Sequence, residues 1–101
     1  MAYVVVTISK VLNQQAFDEY AGKVRPILGM FGGRWVAIEA QHVTCAGNWP
    51  YVRTVILEFP SLERAQAWYD SAEYRAIIPL RQRAIDANII MVRSLAERPK
   101  I

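Results

Sequence analysis

Four apolar, strand-like segments and two helical regions follow one another in the order βαββαβ, and this order predicts an α+β fold. Two right-handed βαβ crossovers place both helical regions on one face of a four-stranded antiparallel sheet, which is the ferredoxin-like sandwich. The chain has 101 residues, the length of one ordinary domain. We therefore expect a single ferredoxin-like domain over residues 1–95, followed by a C-terminal tail over residues 96–101.

The strands are predicted from apolar residues that recur at every second position. In the second strand this alternation puts Val36, Ile38 and Ala40 on one face, and Trp35 and its alternating neighbours on the other. The predicted strands are Met1 to Ile8, Arg34 to about Thr44, Arg53 to Phe59, and Asn88 to Val92.

The helices are predicted from apolar residues at three- and four-residue spacing and from polar N-cap residues. The predicted N-caps are Asn13, Ser61 and Ser71, and the last of these divides the second helical region in two. Gly32 and Gly33 are expected to end the first helix. Because a proline ring presses on the preceding turn, we expect a kink at Pro26 and a bend near Pro79.

The composition excludes several classes of protein. The formal charge is only +3 and the basic residues are mostly scattered, so nucleic-acid binding is not expected. No apolar run approaches about 18 residues, and the β-branched N-terminus, which has no basic leader, is typical of a strand. Cys45 is the only cysteine, which fits a reducing compartment. We expect a cytoplasmic protein without a membrane partner.

Two layers of helix and sheet leave one face of the sheet uncovered. The alternation assigns the helix-covered face to Val4, Val6, Ile8, Val55, Leu57, Phe59, Ile90 and Val92, and the open face to Tyr3, Val5, Thr7, Ile56, Ile89 and Met91. An apolar patch of that extent is typical of an interface, so we expect a homodimer joined sheet to sheet. The alternative is a monomer in which Tyr3 and Trp35 shield this face.

Several short motifs together are similar to one known family. They are Gly32-Gly33-Arg34, the Gly47-Asn48-Trp49 turn, Glu58-Phe59-Pro60-Ser61-Leu62-Glu63, Ala67-Trp68-Tyr69-Asp70-Ser71, and Glu73-Tyr74 followed by Arg81. Over about residues 2 to 95 the chain resembles domain-of-unknown-function family 1330, of the dimeric α/β-barrel superfamily. The resemblance implies the fold and the dimer. It implies no catalytic residue, and the superfamily includes both cofactor-independent enzymes and stress-responsive binding proteins.

Three residues are candidates for catalysis. His42 is the only histidine and could act as a general base, with Arg34 at the other end of the same strand holding an anion. Glu58 lies in mid-strand on the predicted open face, where burial could raise its pKa for proton transfer. The alternatives are a surface histidine, and a Glu58 that pairs with Arg53, Arg93 or an arginine of a second subunit. His42 and Cys45 are too few ligands for a metal, so none is predicted.

Four residues are candidates for ligand binding. Tyr20, Trp68 and Tyr74 would line an apolar pocket if the helices leave a gap above the sheet, although aromatic residues of this kind more often form ordinary core. Arg53, like Arg81, could hold an anion or form a surface ion pair.

The sequence therefore predicts a homodimer that binds a small, largely apolar metabolite. It would act either as a cofactor-independent enzyme of the oxygenase, isomerase or lyase type or as a non-catalytic binding or accessory module. No cofactor motif is present. RNA binding is not expected, because the centre of the open face carries Val5, Thr7, Ile56 and Glu58 where RNA-recognition domains have stacking aromatics.

Overall fold

A computed structural model describes residues 1–96 of the chain. Its elements are β1 (Ala2–Val11), α1 (Gln14–Met30), β2 (Arg34–Glu39), β3 (Arg53–Phe59), α2 (Leu62–Asp70), α3 (Ala72–Ala84) and β4 (Ile85–Arg93). The predicted C-terminal tail lies outside the described residues, apart from Ala96. Within the described part, no helix has the length and apolar character needed to cross a membrane.

The four strands form one antiparallel sheet in the order β2-β3-β1-β4. All three helices pack on one face of it, where the buried core contains Val4 and Leu57 of the sheet together with Leu28 of α1 and Trp68 of α2. This confirms the predicted ferredoxin-like α+β fold, with the second helical region divided into α2 and α3.

The three predicted N-caps are confirmed by hydrogen bonds to backbone amides. The side chain of Asn13 accepts from the amide of Ala16 at 2.9 Å, and that of Ser61 accepts from Arg64 at 3.1 Å. Ser71 has two roles, because its hydroxyl oxygen accepts from the amide of Tyr74 and its hydroxyl donates to the last turn of α2. One serine therefore ends α2 and begins α3, which explains the sharp division between them.

The two glycines after α1 end the helix as predicted. Gly32 adopts a left-handed backbone, with φ +76, and donates its amide to Gly29, while the amide of Gly33 donates to Leu28 at 2.8 Å. This pair of bonds is the Schellman arrangement, in which the last carbonyls of a helix are satisfied by the residues that leave it. Pro26 lies inside α1 and Pro79 lies inside α3, and each helix continues past its proline. Both proline rings are exposed.

The predicted bounds of three strands were wrong. β1 continues to Val11 rather than ending at Ile8. β2 ends at Glu39 rather than near Thr44, and the segment after it is exposed loop. β4 begins at Ile85 rather than Asn88, directly after α3, and Ile85 pairs with Val11 at the end of β1.

The predicted faces of β4 and β2 were also wrong. In β4, Ile89 and Met91 pack against the core, whereas Ile90 and Val92 lie on the open face, because Val5 is paired with Ile90. In β2, the register shifts between Trp35 and Ala37. The shift puts Arg34, Ala37 and Glu39 on the open face with Ile56, while Trp35 and Ile38 pair with core residues and line the helix-covered side.

Candidate ligand-binding cavity

A cavity of about 380 Å³ lies between the helix layer and the sheet. Most of its wall is apolar, and its polar residues are few, a combination typical of small-molecule sites. The lining residues are Val6, Ile8, Val11, Gln14, Phe17, Asp18, Tyr20, Ala21, Val24, Arg25, Leu28, Trp35, Ile38, Arg53, Val55, Leu57, Trp68, Arg81, Ile85 and Ile89.

The residues of the cavity wall are set by two repeats in the sequence, the alternation along the strands and the helical spacing along α1. Alternate residues of β1 and β3, such as Val6 and Val55, point from the sheet towards the helices. From the other side, α1 presents Phe17, Tyr20 and Val24, which recur at the spacing of one helical face.

Three tyrosines and one arginine form a hydrogen-bonded cluster at the cavity wall. The phenol oxygens of Tyr20 and Tyr74 lie 2.8 Å apart, across 54 residues of chain. Arg81 Nη1 donates to the phenol oxygens of Tyr74, at 2.9 Å, and Tyr69, at 3.2 Å. The guanidinium also lies over both of those rings, with its carbon less than 6 Å from each centroid. The arginine is therefore held in one orientation by contacts on its face and on one edge.

Burial keeps the phenols of Tyr20 and Tyr74 neutral. Burial raises the pKa of Tyr20 far above its ordinary value, and the neighbouring Tyr74 raises it further. Burial also raises the pKa of Tyr74, more than its hydrogen bonds to Tyr20 and Arg81 lower it. Burial acts to lower the pKa of Arg81, but the hydrogen bonds that it donates to Tyr69 and Tyr74, together with the electrostatic effect of those phenols, outweigh burial and the net direction is upward. At neutral pH the cluster carries one positive charge.

Arg53 lines the cavity together with Arg81. It pairs with Ile8 near the end of β1, and its guanidinium carbon lies 5.7 Å from the centroid of Phe17 on α1. Arg81 donates to Tyr74, whose phenol contacts that of Tyr20, three residues after Phe17 on α1. Within residues 1–96, neither guanidinium forms an ion pair with a carboxylate.

Three of the four predicted ligand-binding residues line this cavity. They are Tyr20, Trp68 and Arg53, whereas Tyr74 is fully buried behind the wall and contacts Tyr20. The sequence prediction omitted Trp35, whose indole lines the cavity only because of the register shift in β2. The indole N–H groups of Trp35 and Trp68 are buried and have no hydrogen-bond acceptor among the described residues.

The three candidates for catalysis lie elsewhere. Glu58 is 8% exposed on the open face and accepts from Arg34 Nε at 2.7 Å and Nη2 at 2.5 Å, so its partner comes from the neighbouring strand. His42 follows the far end of β2, where it lines a shallow hollow with Cys45 and Thr54. The structure therefore brings Arg34 and Glu58 together, and it leaves His42 at the other end of the strand. Within residues 1–96, no three metal-ligating side chains form a group.

The fold and the cavity define a small ferredoxin-like α+β protein with a ligand-sized space between its layers. The chain belongs to the DUF1330 family, a domain of unknown function, whose family model matches residues 1–95. Among curated proteins, none matches this chain.

Solved structures share the fold at low sequence identity. RPA0582 from Rhodopseudomonas palustris, a protein of unknown function, has a TM-score of 0.76 and 18% identity, covering 97% of this chain and 83% of that one. An uncharacterized NIPSNAP domain protein from Burkholderia xenovorans has a TM-score of 0.59 and 12% identity, covering 99% and 100%. An antibiotic biosynthesis monooxygenase has a TM-score of 0.52 and 13% identity, covering 94% and 99%. At these identities the likeness shows the fold alone.

Proposed function

We propose that this protein binds a small, largely apolar molecule in the cavity between its helices and its sheet. The single observation that carries the proposal is a space of about 380 Å³ inside a domain of this size, within the range of roughly 300–1,000 Å³ that is usual for ligand sites. A close-packed interior has few voids larger than a water molecule, so a space of this volume is a feature that ordinary folding does not require.

The polar residues of the wall indicate the kind of molecule that fits. Tyr20 and Arg81 present a phenol and a guanidinium to a space whose wall is otherwise largely apolar. The proposed ligand therefore combines an apolar body with at least one polar group.

Binding, rather than a reaction at the predicted catalytic residues, is the function proposed. Arg34, His42 and Glu58 do not line the cavity. A reaction in the cavity would depend instead on polar groups of its own wall, such as Tyr20 of α1 and Arg81 of α3.

We also propose that the protein is a homodimer joined through the open face of the sheet. Register places Ala37, Ile56, Val5 and Ile90 in one apolar row across all four strands. A second copy of the chain is the occupant that fits this row best, because a twofold axis would set the same apolar centre against itself. A typical interface buries roughly 800 Å² per partner, enough to offset association costs of several kcal/mol even if about half is apolar.

Native mass spectrometry of the purified protein tests binding directly, since it detects a retained small molecule. A titration with 2-naphthol, followed by calorimetry, measures the affinity of the cavity for a neutral two-ring probe. Ala21→Trp places a large ring in the cavity, because Ala21 lines it from α1, and we expect this change to weaken 2-naphthol binding by about tenfold or more.

Ala76→Trp is the matched control. Ala76 is an exposed alanine of α3 that does not line the cavity, so the same substitution there should leave the affinity unchanged. If the protein retains no molecule and none of 2-naphthol, 2-naphthoate and 2-naphthamide gives a heat of binding, or if both tryptophan variants bind 2-naphthol as the wild type does, the cavity is not a ligand site.

A further inference from the structure

We propose that the cavity selects an anion, specifically a small carboxylic acid whose apolar body fills the space and whose carboxylate is bound by Arg53 and Arg81. This inference rests on the proposed ligand-binding function and names the chemical class of the ligand.

The charges of the lining are unbalanced. The wall contains Arg25, Arg53 and Arg81 but only one carboxylate, Asp18, which accepts a hydrogen bond from Gln14 beside it. In the described part of the chain, none of the three arginines forms an ion pair with a carboxylate. Positive charge next to an apolar wall is stabilised when an opposite charge is brought to it, and a neutral ligand brings none.

The geometry of Arg81 leaves the appropriate edge free for a carboxylate. A guanidinium has five N–H donors, and Nη1 uses its two on Tyr69 and Tyr74. The N–H groups of Nε and Nη2 have no acceptor among the described residues. These two nitrogens form one side of the planar fork, the side that can bind both oxygens of a carboxylate at once.

The tyrosines fix this edge without cancelling the charge. The guanidinium carbon of Arg81 lies over the rings of both Tyr69 and Tyr74, and these contacts restrict its rotation. Tyr74 is fully buried and hydrogen-bonded to Tyr20, which is itself part of the cavity wall. Because the phenols of Tyr20 and Tyr74 remain protonated at neutral pH, neither supplies the negative charge that Arg81 lacks.

Arg53 adds a second cation to the wall of the cavity. Its guanidinium lies over the ring of Phe17, and this contact leaves the N–H groups at the edge of the guanidinium unused. One arginine from β3 and one from α3 thus face the same space, and the remaining wall is largely apolar. This arrangement fits an acid with an aromatic or aliphatic body better than a molecule that is polar throughout.

Two isosteric probes test the inference: 2-naphthoate, which is an anion at neutral pH, and 2-naphthamide, which has the same ring and no charge. Calorimetry at low ionic strength should show that the wild-type protein prefers the anion by about tenfold or more, since hydrogen bonds between charged groups are stronger than neutral ones. We expect Arg53→Gln to reduce this preference several-fold, and Arg53→Gln combined with Arg81→Gln to abolish it.

Arg83→Gln is the control for the change in net charge. Arg83 is exposed in the last turn of α3 and does not line the cavity, so the preference should persist in this variant. Arg53→Gln leaves the tyrosine cluster intact, so it keeps the test valid if substitution of Arg81 impairs folding.

The outcomes separate the two proposals. If the wild-type protein binds the acid and the amide equally, or if Arg53→Gln and Arg83→Gln have equal effects, the anion inference is wrong and the cavity remains a ligand site. If neither naphthyl compound nor 2-naphthol binds and the purified protein retains no molecule, both proposals fail. A molecule released from the purified protein supports the inference if it is an acid and overturns it if it is neutral.

Discussion

Tyr20, Tyr74 and Arg81 form the most constrained group of polar residues in the protein. Each is ordinary by residue type, and each lies on a different part of the helix layer. Tyr74 and Arg81 lie two turns apart on α3, and Tyr20 joins them only because α1 and α3 pack side by side on the same face of the sheet. The group is held neutral at its phenols by burial, which makes the stability of the fold sensitive to alkali.

Stability should therefore fall above pH 10. The folded state raises the pKa of Tyr20 and Tyr74, so the contribution of these phenols is fully present below the ordinary tyrosine value of about 10. Above that pH the unfolded chain loses phenol protons that the folded chain keeps. The free energy of unfolding then decreases by about 1.4 kcal/mol per pH unit for each such phenol.

Urea unfolding between pH 8 and pH 11 measures this slope in the wild-type protein and in Tyr20→Phe. At pH 8 the variant should lose about 1 kcal/mol, because Tyr74 loses a hydrogen-bond partner. Above pH 10 its stability should fall less steeply than that of the wild type. Equal slopes in the two proteins would show that Tyr20 is not held protonated by the fold.

The sequence could predict several of these residues but not their contacts. Helical spacing is enough to place Tyr20, Trp68 and Tyr74 on inward faces, and Arg53 at the start of a strand. The pairing of Tyr20 with Tyr74 depends on how two helices pack, which no local pattern contains. The partner of Glu58 was missed for a similar reason: Arg34 is opposite it only because β2 lies beside β3 with one particular register.

At the scale of elements, two consecutive glycines at the end of α1 determine how the chain passes from this helix to β2. Gly32 and Gly33 close the helix and turn the chain directly into β2. A Cβ at Gly33 would lie 2.6 Å from two ring carbons of Phe59, which is 1% exposed. The Phe59 ring in turn packs on Trp68 at 5.4 Å between centroids. The absence of a side chain at residue 33 therefore lets the helix end contact the core.

Gly33→Ala should accordingly destabilise the protein. The methyl group must displace a ring that has no free space, so we expect a loss of about 1–3 kcal/mol in the free energy of unfolding. Gly29→Ala, in the last turn of α1, is the control, because nothing outside the backbone of its own helix lies within 4 Å of its Cβ position. There alanine should be neutral or should stabilise by about 0.5–1 kcal/mol through its helix propensity. Urea unfolding compares the two, and equal effects would contradict the proposed contact with Phe59.

The strands show where alternation stops being informative. In β4 the residues Ile89, Ile90, Met91 and Val92 are all apolar, so the pattern cannot indicate which set faces the helices, and the prediction chose the wrong one. In β2 the irregularity between Trp35 and Ala37 shifts the phase within a six-residue strand. The order of the elements could be predicted because caps and turns mark their ends. Which residues of β2 and β4 face the helices is decided instead by the register in which these strands pair with their neighbours.

At the scale of the whole molecule, β4 presents apolar residues to both sides of the sheet. The helices cover one side. On the other, Ile90 is 56% exposed and Val92 is 45% exposed, and both continue rows that cross the whole sheet. The neighbouring row carries the Arg34–Glu58 pair and Tyr3, so the apolar centre has a polar margin along one side. Such a centre and margin are the usual anatomy of a protein interface.

The proposed dimer predicts that one substitution on this face separates the subunits. Ile90→Lys places a charge in the central apolar row, and the twofold symmetry of the dimer would place it there twice. We expect sedimentation equilibrium to give about twice the chain mass of 11.5 kDa for the wild type, and a dissociation constant raised by about a hundredfold or more in the variant. Far-UV circular dichroism should show that the separated chain is still folded, since residue 90 does not contribute to the helix-covered core. Met30→Lys is the matched control, because Met30 is 57% exposed at the end of α1 and should leave the dimer intact. Two outcomes would contradict the proposed dimer. One is a wild-type protein that sediments as a folded single chain at micromolar concentration, and the other is an Ile90→Lys protein that associates as tightly as Met30→Lys.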